Sequence, residues 1–456
     1  MAQTFAESAQ SARTLLTVRA DSRDADLSSL TEAARAFVSR TGFKGGAGEM
    51  LVLPEGSGVD AIIGLGKGED PLAFGSAPYY LEACDWQITG LPATLDPTQV
   101  MVAWAMGAYK FDRYKAAPRA PARLAAPEGA DIAEAARLAR SIRLARDMVN
   151  TPAEDMGPDG IQTTVEAVAD EFGATVRVTK GDQLLKDNYP MIHAVGRAAE
   201  QEPRLIEMEW GDEAHPRVAL IGKGVAFDSG GLDIKPAAGM RLMKKDMGGA
   251  ANALALARLI MDAKLPVRLH LLISAVENAI SGNAFRPGDI LDSRAGLTVE
   301  IDNTDAEGRL VLGDALARAT EEDVDLVLDF ATLTGAARIA LGPELAPFYT
   351  DDESLAEAIN QGAVAAHDPV WRMPLWDGYD AQLDGTISDL KNTGDGPFAG
   401  SVTAALFLRR FVKGKRWAHF DIFAWNPKDK PGRPMGGEML GSRAAWSALK
   451  SLYGKG

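Results

Sequence analysis

The sequence predicts a two-domain α/β protein, with a small N-terminal α/β domain and a larger C-terminal α/β domain whose mixed, largely parallel central sheet is flanked by helices. Three observations predict it. The chain has 456 residues, more than a single hydrophobic core usually serves. From residue 161 onward, helix-period runs alternate with strand-like runs, the pattern of a substantially parallel sheet. A stretch over 116–129 with three prolines and little bulky apolar content separates this alternation from a shorter first part, and it reads as a connector. The expected division is a first domain over 1–120, a linker over 121–130 and a second domain over 131–456.

In the first domain, Leu51-Val-Leu53 and Asp60 to Leu65 read as short strands broken by Pro54 and Gly56. Helical spacing runs over Leu27 to Val38 and Pro97 to Phe111. Glu82, Asp85 and Lys110 read as solvated charges. Beyond the linker, Ile132 to Met148 is helix-periodic and stops at Asn150-Thr-Pro152, where Asn150 suits a left-handed terminator and Pro152 cannot continue a helix. Helix-like Ile161 to Phe172 precedes strand-like Ala174 to Val178. Strands are expected at Arg217 to Ile221, Val267 to Ser274, Leu297 to Asp302 and Val324 to Phe330, with helices at Ala250 to Met261 and Leu310 to Thr320 between them. The last part holds a helix from Thr403 to Phe411, a strand from Trp417 to Asp421 and a helix from Ser442 to Tyr453. The glycine-rich loop Asn392 to Gly400 reads as a pocket wall or lid.

Composition narrows the function classes. A formal charge of −15 argues against a general nucleic-acid or anionic-membrane partner. Cys84 is the sole cysteine, so neither an intramolecular disulfide nor a cysteine-built metal site can form. No apolar run approaches the ~20 residues of a membrane span. The opening Met1-Ala-Gln-Thr-Phe-Ala-Glu-Ser8 lacks the basic start and apolar core of a signal peptide, and the expected address is the cytoplasm.

Chemistry-bearing residues concentrate in two stretches. Asn303-Thr-Asp-Ala-Glu-Gly-Arg309 joins a strand to a helix and carries Asp305, Glu307 and Arg309. Alone it could be no more than an acidic helix start. Upstream, Ile221 to Pro236 follows a strand and carries Lys223, Asp228, Asp233 and Lys235, and Asp246 lies just before a helix. In open α/β sheets, ligands sit beyond the carboxyl ends of strands, so three carboxylate-bearing segments could converge there. Converging carboxylates resist joint ionisation and need neutralising, either by divalent cations or by the nearby lysines.

These two stretches resemble the signatures of the leucyl aminopeptidase (cytosol aminopeptidase) family, the dinuclear metallo-aminopeptidases, and the resemblance covers roughly residues 130 to 430. It implies that Lys223, Asp228, Asp246, Asp305 and Glu307 hold two divalent ions per subunit, with Asp228 and Glu307 bridging and Lys223 binding as a neutral amine. Oxygen-rich ligands point to Mn or Zn, or Mg at one of the two positions. The resemblance further implies that Lys235 stabilises the tetrahedral oxyanion and that Arg309 holds a bicarbonate ion acting as general base. Met243, Asn303, Thr332, Leu333 and Gly335 match positions that line the first side-chain pocket or hold the substrate backbone. The implied activity is release of N-terminal, preferably apolar, residues from peptides, by a homo-hexamer.

Other readings remain beside this one. Asp233 reads as structural, Lys244 and Lys245 as solvated or paired surface charges, and Asp302 as a turn cap. Asp329 and Asp421 read as buried structural carboxylates, and His270 and His419 as core residues. The absence of His-Glu-x-x-His argues against a single-zinc helix site. Gly222-Lys-Gly224 lacks the pattern of a phosphate loop. A noncatalytic relative and a narrow dipeptidase are the remaining alternatives. The first domain shows no close match to the family, and residues 421–426 and 438–443 depart from its usual sequence.

Overall fold

The computed structural model describes residues 4–454. Met1 to Gln3, where the segment read for a signal peptide begins, and the last two residues lie outside the described residues. Two compact units emerge, one holding residues up to Arg143 together with Asn426–Gly436, the other Leu144–Trp425 and the chain from Gly437 on.

In the first unit, strands β1 (Arg13–Val18), β2 (Met50–Val52), β3 (Ala61–Gly64), β4 (Asp85–Thr89) and β5 (Arg123–Leu124) form a sheet in the order β2-β3-β1-β4-β5. Only β2 runs antiparallel to its neighbour. The stretch read as a linker therefore contributes an edge strand, with Ala122 and Leu124 buried. The helical run expected from Leu27 to Val38 breaks at Leu30, which is extended, and restarts as Glu32–Thr41. Thr31 accepts from Ala34 N at 3.3 Å, and an N-cap hydroxyl of this kind favours a new start over continuation. The helix packs Ala34 and Val38 against Leu16, Val18 and Ile62. Asp85 is not simply solvated but pairs with Arg123 at 2.5 Å.

In the second unit, β6 (Thr175–Lys180), β7 (Arg204–Trp210), β8 (Arg217–Asp228), β9 (Arg268–Asn278), β10 (Ile290–Asp292), β11 (Thr298–Glu300), β12 (Leu326–Ala331), β13 (Ala346–Tyr349), β14 (Val370–Arg372), β15 (Leu390–Lys391) and β16 (Trp417–Asp421) are distributed over two sheets. Among the described residues, the main one has eight strands in the order β14-β13-β16-β12-β8-β9-β7-β6. Its centre, β16-β12-β8-β9, is parallel. Antiparallel pairing enters where β13 meets β16 and where β7 meets β9 and β6. The sheet is thus mixed with a parallel heart, and its central strands are apolar along most of their length, as burial on both faces demands.

Two expectations are corrected here. The chain after Ile221 is not a loop: β8 continues to Asp228, paired with β9 except for an irregularity between Val225 and Asp228. Glycine richness suggested a break, yet Gly222 and Gly224 sit inside the strand because neighbouring elements approach it closely; a Cβ at Gly222 would lie 2.6 Å from Ala250 Cα. The strand before Asn303 is also not part of the main sheet. β11 belongs to a small sheet with β10 and β15, so its carboxyl end is brought to the others by tertiary packing rather than by shared strand order.

The helices Gly248–Asp262 and Glu307–Ala319 pack on β8. Ala219, Ile221 and Val225 join the cluster that contains Leu310, Val311 and Ala315. Alternate β8 residues therefore face the Glu307–Ala319 helix, and Lys223 lies in phase with them.

Candidate metal centre

Lys223 and Asp228 are five residues apart, which on a regular strand would send them to opposite faces. The register against β9 advances three residues from Val225 to Asp228 while β9 advances only two, from Val276 to Asn278. One extra residue, a β-bulge, brings the two side chains back into phase. Asp228 is then fixed from both sides. Its Oδ1 accepts from Asn278 Nδ2 and from Gly230 N, each at 2.9 Å, and its Oδ2 faces Lys235 Nζ at 2.8 Å. Gly230 has φ +89, and a Cβ there would reach Asp305 Oδ1 at 3.0 Å, so glycine answers both the backbone conformation and the crowding.

Asp246 stands on the short 3₁₀ turn Met243–Met247, which leads directly into the Gly248–Asp262 helix. Thr332, just beyond β12, donates to Asp246 Oδ1 at 2.8 Å and leaves Oδ2 directed at Lys223 Nζ, 2.7 Å away. In the heptapeptide, Asn303 Oδ1 accepts from Asp305 N at 2.8 Å, a side-chain turn that aims Asp305 inward. Glu307 begins the helix, fully buried, with Oε1 at 2.8 Å from Lys223 Nζ. Gly308 beside it has no room for a side chain, since a Cβ would meet Lys223 Nζ at 2.7 Å.

The predicted cluster therefore converges. Oxygens of Asp228, Asp305 and Glu307 lie within 4.8 Å of one another, Asp246 reaches the same group through Lys223, and Lys235 pairs with Asp228 and Asp305. Burial pulls the Lys223 ammonium down, but Asp246, Glu307 and Asp228 outweigh it and hold the group above its ordinary range. Lys235 is likewise raised against its burial by Asp228 and Asp305. Burial and then Asp228 push Glu307 up to about 8, and the same two causes raise Asp305. Burial opposes ionisation of Asp246, but Lys223 and Lys245 hold it low.

The donor set fits divalent ions. Both Glu307 oxygens, Asp305 Oδ1 and Asp246 Oδ2 are buried with no hydrogen bond in proper geometry, although lysine ammoniums lie close to three of them. Proximity without directed hydrogen bonds leaves carboxylate lone pairs available, and four carboxylates in one buried site are a hard-cation donor set.

A cavity of about 380 Å³ opens over this cluster. Lys223, Asp228, Lys235, Asp246, Asp305 and Arg309 line it, and so do Met243, Asn303, Thr332, Leu333 and Gly335. Glu307 lies beneath the lining, reached through Lys223. Arg309 donates to Asn392 O at 2.6 Å, leaves its buried Nε unpartnered, and is lowered to about 10 by burial. Thr393 and Gly400 contribute lining from the glycine-rich loop.

Several residues were missed or misread. Asn392 is fully buried; its Oδ1 accepts from Asp302 N at 2.8 Å and Asn303 N at 3.2 Å, and its Nδ2 donates to Asn303 O at 2.7 Å. Thr304 donates to Gly230 O at 2.7 Å and accepts from Asp233 N at 2.9 Å, while Asp233 Oδ2 accepts from Thr304 N at 2.8 Å. Asp233 is structural, as expected, and this exchange ties the lysine–aspartate segment to the heptapeptide. Asp421 accepts from Leu333 N, Thr334 and Arg338, fixing the pocket wall after β12. Asp329 holds His419 at 2.6 Å and Trp417 at 2.7 Å in the core. His270 sits between Arg217 and Glu207.

Of the two lysines read as solvated or paired surface charges, Lys244 is half-buried and paired, whereas Lys245 is corrected. Lys244 donates to Asn150 O at 2.6 Å, so that helix end is satisfied by a side chain, and Asn150 is not left-handed. Lys245 is 6% exposed, lines the cavity, and burial lowers it to about 8. Successive residues of a tight 3₁₀ turn point in different directions, and a Lys-Lys pair in sequence carries no sign of which one points inward.

Comparison with known proteins places two family models on the chain, the N-terminal domain of M17 aminopeptidases over residues 14–127 and the catalytic domain of the cytosol aminopeptidase family over 143–444. The first of these matches the domain that showed no close resemblance by motif. A probable cytosol aminopeptidase of Syntrophotalea carbinolica is 36% identical over 443 residues, covering 89% of either chain; one of Rhizobium meliloti is 38% identical over 407 residues, covering 82% of this chain and 81% of its own. Among solved structures, cytosol aminopeptidase from Coxiella burnetii superposes with a TM-score of 0.93 at 44% identity, over 98% of both chains. The bottromycin maturation enzyme BotP in complex with Mn superposes with a TM-score of 0.86 at 31% identity, over 96% of this chain and 99% of its own.

Proposed function

The chain belongs to the cytosol aminopeptidase family and is a metal-dependent exopeptidase, and from that premise we propose a dinuclear aminopeptidase that removes the first residue of peptides with a free α-amine. Lys223, Asp228, Asp246, Asp305 and Glu307 would hold two divalent ions, Mn or Zn or Mg at one position. When bound, such ions polarise a carbonyl and lower the pKa of a coordinated water. The Mn bound in the BotP structure favours manganese among the choices.

The rest of the work falls to this chain's side chains. Lys235 reaches the cluster from the cavity side and is positioned to stabilise a developing oxyanion. Arg309, with its unpartnered Nε, would hold a bicarbonate ion, which would supply a general base. Asn303, Thr332 and Gly335 would hold the substrate backbone. Met243 and Leu333 supply apolar contact for a first side chain of leucine-like size, and the adaptable thioether of Met243 suits several shapes. A cytoplasmic homo-hexamer is the proposed assembly; among the described residues, no helix is long and apolar enough to cross a membrane.

The observation that carries this reading is the convergence of four carboxylates and two lysines from separate segments at the floor of one cavity. The test is hydrolysis of Leu-p-nitroanilide against its N-acetylated twin, after chelation and again with Mn or Zn restored. Metal-dependent cleavage of the free-amine substrate alone is the expected result. Equal cleavage of both would overturn the requirement for a free amine.

A further inference from the structure

Lys245 has no role in the chemistry above, yet its burial demands one. Lys245 lines the cavity, and its ammonium has a single close partner among the described residues, the ring of Phe423 at 4.9 Å. The two nearest carboxylates are already committed. Asp246 faces Lys223 and accepts from Thr332; Asp421 accepts from Thr334, Leu333 and Arg338. Arg338 lines the same part of the cavity and stands over the same Phe423 ring at 5.8 Å. Two cations thus approach one aromatic ring, with a single carboxylate, Asp421, bonded to one of them. A cation buried without a counter-charge is unfavourable unless something supplies one.

Resting on the aminopeptidase reading, we propose that Lys245 is a specificity-determining residue that accepts the side-chain carboxylate of the substrate's first residue, so that glutamate-headed peptides are a substrate class of this site. The position of Lys245 in the chain supports the first residue over later ones. It is adjacent to Asp246 and two residues from Met243, on the same 3₁₀ turn. With the α-amine at an ion held by Asp246, the first side chain would start beside the turn that carries Met243 and Lys245. Met243 and Phe423 line the same cavity as Lys245 and offer apolar contact to methylene groups. Glutamate offers two methylenes to these apolar residues where aspartate offers one, and is the acidic residue to test. Apolar first residues can use the same contacts without engaging Lys245.

The experiment compares kcat/KM for the p-nitroanilides of Glu, of its neutral isostere Gln, and of Leu, using metal-loaded full-length protein and its Lys245→Met and Lys245→Arg variants. A Glu-to-Gln ratio of about ten or more is expected for the natural protein, since one charge-assisted contact is worth about a factor of ten or more. The ratio should fall to near one in Lys245→Met and be retained in Lys245→Arg. A ratio at or below one in the natural protein while Leu is cleaved would overturn the proposal without needing any variant. An unchanged ratio in Lys245→Met would also overturn it. Failure to cleave all three substrates with every metal would overturn the aminopeptidase reading, and this inference with it.

Discussion

Lys223 Nζ lies 2.8 Å from Glu307 Oε1, and Asp246 Oδ2 lies 2.7 Å from the same nitrogen. The lysine comes from mid-strand, the glutamate from a helix start, and the aspartate from a 3₁₀ turn. In the chain by itself the ammonium holds the Asp246 carboxylate and stands against the Glu307 carboxyl group. The same nitrogen would have to shed its proton to act as a metal ligand, so ion binding and proton release are linked at this contact.

That linkage sets a pH dependence. Glu307, raised to about 8, binds a proton at neutral pH that a metal must displace, and Lys223, raised further, supplies another throughout the accessible range. Metal affinity should therefore climb with pH. At neutral pH loading should release more than one proton per site, and the number should fall as the pH rises. Calorimetry of Mn binding to chelated protein in buffers of different ionisation enthalpy counts them. A pH-independent affinity would remove Lys223 from the ligand set.

Glu307→Gln should abolish turnover and weaken metal binding by at least ~100-fold, because a neutral amide replaces a buried carboxylate donor. The fold should survive. Burial and Asp228 already favour the neutral form of this side chain, so the chelated variant should melt within a few degrees of the chelated natural protein. Full activity in metal-replete buffer would refute the assignment.

Lys235→Ala should lower kcat by about 100- to 1,000-fold, the usual loss when a group stabilising an oxyanion is removed. KM and metal content should change little. Because Lys235 also pairs with Asp228 and Asp305, metal content has to be measured alongside the kinetics. A change confined to KM would show that Lys235 serves only ground-state binding.

The chemistry-bearing residues were legible because their motifs are long and local: the heptapeptide and the segment from Lys223 to Asp246 carry residue type and spacing together. Geometry was less so. The bulge that realigns Asp228 with Lys223 leaves no mark beyond an odd spacing, which reads equally well as a loop. β11 looked like a strand of the main sheet because alternation reports a half-buried strand and says nothing about which sheet it joins. Lys245 read as solvated because charge is the only thing sequence reveals of it, and burial is decided by the turn that carries it. The contact of Asn392 with the heptapeptide joins residues 89 apart, and nothing local announces such a pairing.

Asn392 therefore offers the sharpest test of how the heptapeptide is held. Its side chain satisfies Asp302 N, Asn303 N and Asn303 O, and its own carbonyl receives Arg309. Asn392→Ala would strand two backbone donors and one acceptor in a buried position. With each unsatisfied group costing about 1–3 kcal/mol and partial relief by relaxation, a destabilisation of about 3 kcal/mol is expected. Asn392→Asp keeps the acceptor for Asp302 N and Asn303 N but sets a buried carboxylate oxygen against Asn303 O, so it should not restore the lost stability. The loss should also reach function: Asn303 positions Asp305 through its own side chain, so loosening its backbone should reduce metal affinity more than it reduces helix content. Urea denaturation of the chelated proteins measures the first effect, and Mn titration of the same samples measures the second. If Asn392→Ala loses stability but binds Mn as tightly as the natural protein, the heptapeptide is held by its Asp233 and Thr304 contacts alone.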